Sequence, residues 1–237
     1  MKASSTGHTF KRLLLAAAAA LSFPALAATP ITGGDADLVF SQAAIDTLGL
    51  ISVSVAGTGS ATTVTPGQSF SFPVTGGSVE GNAVVDVLTD VNAGVSLTKG
   101  STVINLGDFR VDVGSKTLYG DITIGAQVVQ NTALYTFTTV TDVEAGPNAR
   151  TVSASGMFIT ETALNTLGDA LGVPTFLRPA VAGVDFGTLT GNLTVAAVPE
   201  PSTYAMLGLG LAGIGFYSKR RRAAAAASEA PAAPQAA

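Results

Sequence analysis

Along the middle of this 237-residue chain, apolar and polar positions alternate with a period of two. The clearest stretch is 108–124. Phe109, Val111 and Val113 alternate with Asp108, Arg110 and Asp112, and Gly114-Ser115-Lys116 then supplies a short turn. Leu118, Gly120, Ile122 and Ile124 resume the alternation against Tyr119, Asp121 and Thr123. This predicts two paired strands with one buried face. Upstream, Ile104 and Leu106 fall in the opposite phase to Phe109, so a bulge is expected near Gly107. Further strands are expected over 51–55, 69–74, 84–88, 95–98, 134–140, 152–159 and 191–196. Pro66-Gly67, Gly76-Gly77, Asn92-Ala93-Gly94 and Gly146-Pro147-Asn148 separate them. Many short strands at such intervals predict a mainly β fold, an antiparallel sandwich or an open barrel.

Two segments depart from this period and echo each other. Residues 41–49 (SQAAIDTLG) align without gaps on 160–168 (TETALNTLG). Each opens with a hydroxyl residue suited to an N-cap, Ser41 or Thr160, and closes with a glycine suited to a C′ position, Gly49 or Gly168. Ile45 and Leu48, and likewise Leu164, Leu167 and Leu171, form one apolar stripe per segment, so two short helices packed on or beside the sheet are expected.

The two ends read differently from the middle. Lys2, His8, Lys11 and Arg12 precede an unbroken apolar run over 13–21, and Ala25-Leu26-Ala27 then gives a small-x-small site ahead of Ala28. Residues 1–27 are thus expected to be a signal peptide with an N-terminal signal helix, whose Ala25 and Ala27 signal peptidase accepts, leaving Ala28 as the mature N-terminus. The apolar run is far shorter than the ~20 residues of a spanning helix. Near the other end, Val198-Pro199-Glu200-Pro201-Ser202 leads into an apolar, glycine-rich run over 204–217, and Lys219-Arg220-Arg221-Arg222 closes it. That run predicts a short transmembrane helix of roughly 21 Å, with the basic cluster as a cytoplasmic stop. The Ala/Pro tract 223–237 is expected to be disordered. The organisation expected is a signal peptide (1–27), a β-rich extracytoplasmic domain (28–197), a tail segment (198–222) and this tract.

The tail resembles the PEP-CTERM sorting signal, which joins a Pro-Glu-Pro motif, a short hydrophobic helix and an arginine cluster. The resemblance implies recognition of Pro199, Glu200 and Pro201 by an exosortase, a membrane cysteine protease. It implies transient anchoring in the inner membrane through Lys219, Arg220, Arg221 and Arg222, then transfer to the cell surface or extracellular matrix. Exopolysaccharide and biofilm are the partners and setting it suggests. The tract 223–237 extends past the point where such signals usually stop. Within the domain, 94–97 (GVSL), 103–112 (VINLGDFRVD) and the helical segment 160–172 followed by 173–176 (VPTF) resemble HtaA-type β-rich surface domains. Some members of that family bind haem through tyrosine with histidine support. Between residues 28 and 198 this chain has Tyr119 and Tyr135 and no histidine, so haem is not carried over and no cofactor is expected.

Composition narrows the chemistry. Between residues 28 and 198, 14 acidic residues face five basic ones, a formal charge of −9. That field repels phosphate backbones and argues against nucleic acid as a partner. There is no cysteine, and the single histidine is His8. A domain without either lacks the usual transition-metal ligands, and a serine triad has no base. Asp35 with Asp37, and Asp108 with Asp112, could share a strand face and offer oxygen ligands to calcium; a solvated face is the competing reading. Glu80, Glu144 and Glu161 are the candidate acids and bases of a glycan-active enzyme, which needs two carboxyls at a set separation. Tyr119, Tyr135, Phe109, Phe137 and Phe158 could face a ligand or pack in the sheet. The expectation is a non-enzymatic, structural or adhesive surface or matrix protein, with no metal. The alternatives are a small-ligand-binding, haem-like surface module and, behind it, a glycan-active enzyme.

Overall fold

A computed structural model describes residues 28–197, 206–215 and 217–219, which belong to two units divided between Ala196 and Ala197. In the first, the alternating positions become eleven strands: β1 (Thr29–Phe40), β2 (Ser54–Thr58), β3 (Thr62–Thr65), β4 (Ser69–Glu80), β5 (Ala83–Thr89), β6 (Gly94–Lys99), β7 (Thr102–Asp112), β8 (Thr117–Ile124), β9 (Gln127–Gly146), β10 (Ala149–Ile159) and β11 (Gly187–Val195). Helix α1 (Gln42–Leu50) follows β1. After β10 come α2 (Glu161–Ala170), a 3₁₀ turn (Thr175–Leu177) and α3 (Arg178–Ala182).

The strands close a barrel, neither a sandwich nor an open one. Eight follow one another in the order β7–β5–β4–β1–β11–β10–β9–β8, and β8 pairs back onto β7. Local alternation suits an open or a closed sheet equally, because both turn every second residue inward; the pairing that closes the ring is long-range. The bulge forms as expected. Gly107 faces Asp121 and Arg110 faces Tyr119, so Asp108 and Phe109 together oppose Gly120, and Asp108 takes the left-handed conformation (φ 49°). This shift lets Ile104, Leu106, Phe109 and Val111 all point into the core.

The same bulge marks a fork. Along one edge of β7, β6 pairs with 102–107 and β5 with 110–112, so β5 and β6 lie end to end. Along β4, β3 and β5 are likewise end to end. One mouth of the barrel therefore has eight strands; at the other, β3, β2 and β6 stand in place of β5, making ten. The wider mouth holds the helices. At the narrower mouth Arg150, buried on β10, reaches across to the hairpin joining β4 and β5. Its Nε and Nη2 donate to Asp142 at 2.9 Å each, and Nη2 also donates to the Asn82 carbonyl at 2.8 Å. Asp142 in turn accepts the Val84 N–H at 2.7 Å. Between the mouths, Phe70, Ile104, Ile122, Leu134 and Met157 are fully buried and Phe72 meets the Phe109 ring edge-on at 5.2 Å. The interior voids near Ala36 and Val87 are only about 20 and 30 Å³, so side chains fill the barrel.

Several expectations need correction. β1 and β3 are strands that the alternation did not reveal. Gly33-Gly34 interrupts the pattern of β1 where its register shifts, and all four residues of β3 are exposed. Gly76-Gly77 does not end a strand; it sits in an irregular stretch inside β4. β9 runs for 20 residues, and the strand expected over 51–55 starts only at Ser54. The two helices form where expected, but their C-terminal glycines are not the caps. Gly49 and Gly168 lie inside the helices, and the left-handed residues are Ser52 (φ 58°) and Gly172 (φ 62°). In α2, the Val173 N–H reaches the Gly168 carbonyl at 2.7 Å and Gly172 reaches Asp169 at 3.3 Å; in α1, Val53 reaches Leu48 at 2.8 Å and Ser52 reaches Gly49 at 3.0 Å. Both are Schellman ends of the same form.

The signal helix and the cleavage positions Ala25 and Ala27 lie outside the described residues, and Ala28 is the first one within them. In the second unit, 206–215 and 217–219 are helical, and Met206, Leu207, Leu209, Leu211, Ile214 and Tyr217 are all exposed. Among the described residues no helix is long and apolar enough to cross a membrane. Pro199, Glu200, Pro201, Arg220, Arg221, Arg222 and the tract 223–237 lie outside the described residues; Lys219 ends the helical stretch.

Candidate functional site

At the wide mouth, α1 and α2 are set down on the barrel by equivalent contacts. The Ser41 hydroxyl accepts the Ala44 N–H at 3.0 Å, and the Thr160 hydroxyl accepts the Ala163 N–H at 3.1 Å. Each hydroxyl also donates to a strand or loop carbonyl, Ser41 to Asp185 and Thr160 to Ala133. Ala44 and Ala163, the residues so held, are completely buried. The echo in the sequence is thus two N-caps that pin two helices over one opening. Arg178 then folds α3 against α2: its guanidinium pairs with Asp169 at 2.5 Å and lies over Gly168, where a Cβ would stand 3.0 Å from Nε. Gly168 is therefore small because an arginine covers it.

Beneath these helices is an apolar chamber. Phe40, Leu48, Leu97, Leu167, Val181 and Phe186 contribute to its wall, with Tyr135 of β9 as the one phenol. The Tyr135 ring rests 5.3 Å from that of Phe186, and desolvation pushes its hydroxyl pKa above the ordinary phenol value. The chamber measures about 50 Å³. That is well short of the ~300–1,000 Å³ of small-molecule sites, and a macrocycle does not fit without displacing helices. Tyr119 sits elsewhere, on the outer wall, with the Arg110 guanidinium 4.6 Å from its ring centroid. The two tyrosines therefore do not converge on one ligand.

The other candidate side chains disperse over the surface. Asp35 and Asp37 share the outer face of β1, as their spacing implies, while Ala36 and Leu38 between and beside them are buried. Asp112 serves its own turn by accepting the Ser115 N–H at 2.8 Å, which holds its carboxyl below the ordinary range. Among the described residues no group of three or more His, Cys, Asp or Glu is placed to hold a metal. Glu161 opens α2 at the wide mouth, whereas Glu80 ends β4 and Glu144 lies near the end of β9, both towards the narrow mouth. Phe109 and Phe137 are core residues.

What the outer wall offers is hydroxyl. Register places Thr141, Ser153, Thr190, Asp37 and Ser71 side by side across β9, β10, β11, β1 and β4. The neighbouring row is Thr139, Ser155, Thr188 and Val39, with Ser69 at its end buried. Adjacent members stand about 4.8 Å apart, as neighbouring strands do. No single residue in these rows signals a site; the pattern emerges only when the strands are aligned.

Comparison with known proteins bears on both units. Residues 197–222 match the PEP-CTERM protein-sorting motif. No curated protein matches the chain. The crystal structure of the C-terminal domain of HtaA from Corynebacterium glutamicum is similar to it, with a TM-score of 0.50 and 13% identity over 71% of this chain and 99% of that one. At this identity the likeness concerns the fold alone. The sorting motif implies an exported protein handled by an exosortase on a membrane-associated route to the cell surface.

Proposed function

We propose that this protein, whose residues 197–222 carry the PEP-CTERM sorting motif, is a non-enzymatic surface or matrix protein whose barrel associates with exopolysaccharide. In this reading residues 1–27 direct export. The apolar run over 204–217 then holds the chain briefly in the inner membrane, with Lys219 to Arg222 as the stop. An exosortase acts at Pro199-Glu200-Pro201. The observation that carries the proposal is the pairing of that sorting segment with a barrel filled by side chains and walled by ordered hydroxyl rows. Hydroxyls donate and accept equally, and so suit a hydrated glycan without needing charge. Glu161 stands at the opposite mouth from Glu80 and Glu144, so the three candidate carboxyls do not form one site. The test is co-sedimentation of the exported protein with extracellular polysaccharide from the producing cells. The expected result is retention in the pellet and release when the polysaccharide is enzymatically degraded; protein that stays in the supernatant throughout refutes matrix association.

A further inference from the structure

At the fork where β5 gives way to β6, the close approach of the strands leaves a trough on the outer wall. Register aligns Thr58, Gly94, Gly107 and Asp121 in one outward row across β2, β6, β7 and β8. The two central members are glycines, so the floor is bare backbone. A Cβ on Gly94 would stand 2.3 Å from the Leu106 carbonyl oxygen and 3.0 Å from the Thr58 hydroxyl, so this strand approach excludes any larger residue. The next row outward pairs Asn105 with Thr123. Asn92 comes in from the turn between β5 and β6, and Asp108 from the bulge. Together they line an open groove of about 260 Å³.

The chemistry of this rim is specific. The Thr58 and Thr123 hydroxyls and the Asn105 amide can each exchange hydrogen bonds with a polyol, and Asn92, whose Nδ2 donates to Asp90 at 3.1 Å, offers its amide oxygen. Asp121 uses Oδ1 to accept the Asn131 N–H at 2.8 Å, which fixes the carboxylate, and its second oxygen takes no hydrogen bond from the described residues. The Asp108 carboxylate has no hydrogen bond from the described residues. No basic residue and no aromatic ring lines the trough, and the domain around it bears a formal −9. An anionic ligand is therefore repelled, and stacking of a sugar ring on an aromatic face is not the grip. The remaining demand is for positive charge beside hydroxyls, since charge-assisted hydrogen bonds to two carboxylates are the strongest interactions the rim can make.

We propose that this trough binds a hydroxylated cation, namely an amino-sugar unit with a free ammonium, as found in a de-N-acetylated glycan. The ammonium lies between Asp108 and Asp121, and the ring hydroxyls meet Asn92, Asn105, Thr58 and Thr123. This deepens the glycan-association reading and rests on it. The experiment is titration calorimetry of the full exported chain with a β-1,4-linked glucosamine tetramer, its fully N-acetylated counterpart and calcium chloride. Asp108→Asn is the informative variant, because asparagine also tolerates the left-handed conformation and only the charge is lost. The glucosamine tetramer is expected to bind and to weaken as salt rises, and Asp108→Asn to reduce affinity about tenfold or more. Equal binding of the N-acetylated tetramer, or full affinity in Asp108→Asn, overturns the proposal. Heat from calcium with none from either tetramer marks a divalent-cation site and overturns it too. Co-sedimentation of Asp108→Asn with native polysaccharide at the wild-type level, alongside a failed titration, removes the site and leaves matrix association standing. Tetramer binding without any co-sedimentation supports the site and removes the native matrix as its ligand.

Discussion

Ser52 and Gly172 hold the same left-handed position after α1 and α2, yet one has a side chain and the other does not. A left-handed conformation costs an L-residue about 1–2 kcal/mol, partly offset because glycine loses more entropy on folding. Ser52→Gly should therefore stabilise the protein by up to about 1 kcal/mol, and Gly172→Ser should destabilise it by about 1 kcal/mol. Denaturant midpoints check this; shifts of the same sign in both variants would show that something other than the Schellman geometry decides. Two aspartates act at the same scale. The Asn92 N–H and the Ser60 hydroxyl hold Asp90 below its ordinary pKa, and the Ser115 N–H does the same for Asp112. A carboxyl depressed by folding contributes above its unfolded value of about 4 and loses that contribution as pH falls through its folded value. Stability should thus decline as pH falls below about 4, and Asp112→Asn should flatten part of that decline while lowering stability at neutral pH. A pH profile of the variant parallel to wild type would show that this turn carries no proton linkage.

Elements are joined by contacts the local pattern does not reveal, and the narrow mouth is the clearest case. Arg150 and Asp142 belong to the hairpin of β9 and β10, yet they hold Asn82 and Val84 of the opposite wall. Arg150→Met leaves the partly buried Asp142 without its cation and should cost up to about 3 kcal/mol, whereas Arg150→Met with Asp142→Leu should recover part of that loss. Denaturation that leaves the single variant as stable as wild type would mean that apolar packing alone closes this end. In the sequence, Arg150 looked like an ordinary basic residue among many acids, because its partners are distant along the chain. The hairpin at 108–124, the bulge beside Gly107 and both N-caps were legible, since each follows from residues within one turn or one strand. The capping glycines were misplaced because apolar Leu50, Ile51 and Leu171 carry the helices past Gly49 and Gly168. The trough was invisible for a further reason. Thr58, Gly94, Gly107 and Asp121 become neighbours only through the fork at β7.

The molecule as a whole pairs a barrel with a segment that decides where the barrel goes. In the proposed route the exosortase takes Pro199-Glu200-Pro201, because proline favours the extended backbone that a protease cleft accepts. On the same proposal the apolar run that follows sets the depth of that motif in the membrane, and the basic cluster at 219–222 resists passage through it. The chain has no cysteine and its single histidine is His8, so neither a disulfide nor a cysteine or histidine metal ligand holds the barrel. The direct measurement is fractionation with an immunoblot against the barrel. It compares wild type, a variant with Pro199, Glu200 and Pro201 replaced by alanine, and a strain lacking exosortase. The account predicts a shortened wild-type protein at the surface or in the medium, and a longer form retained in the inner membrane in the other two. One size and one fraction in all three would contradict it and make the tail an ordinary anchor.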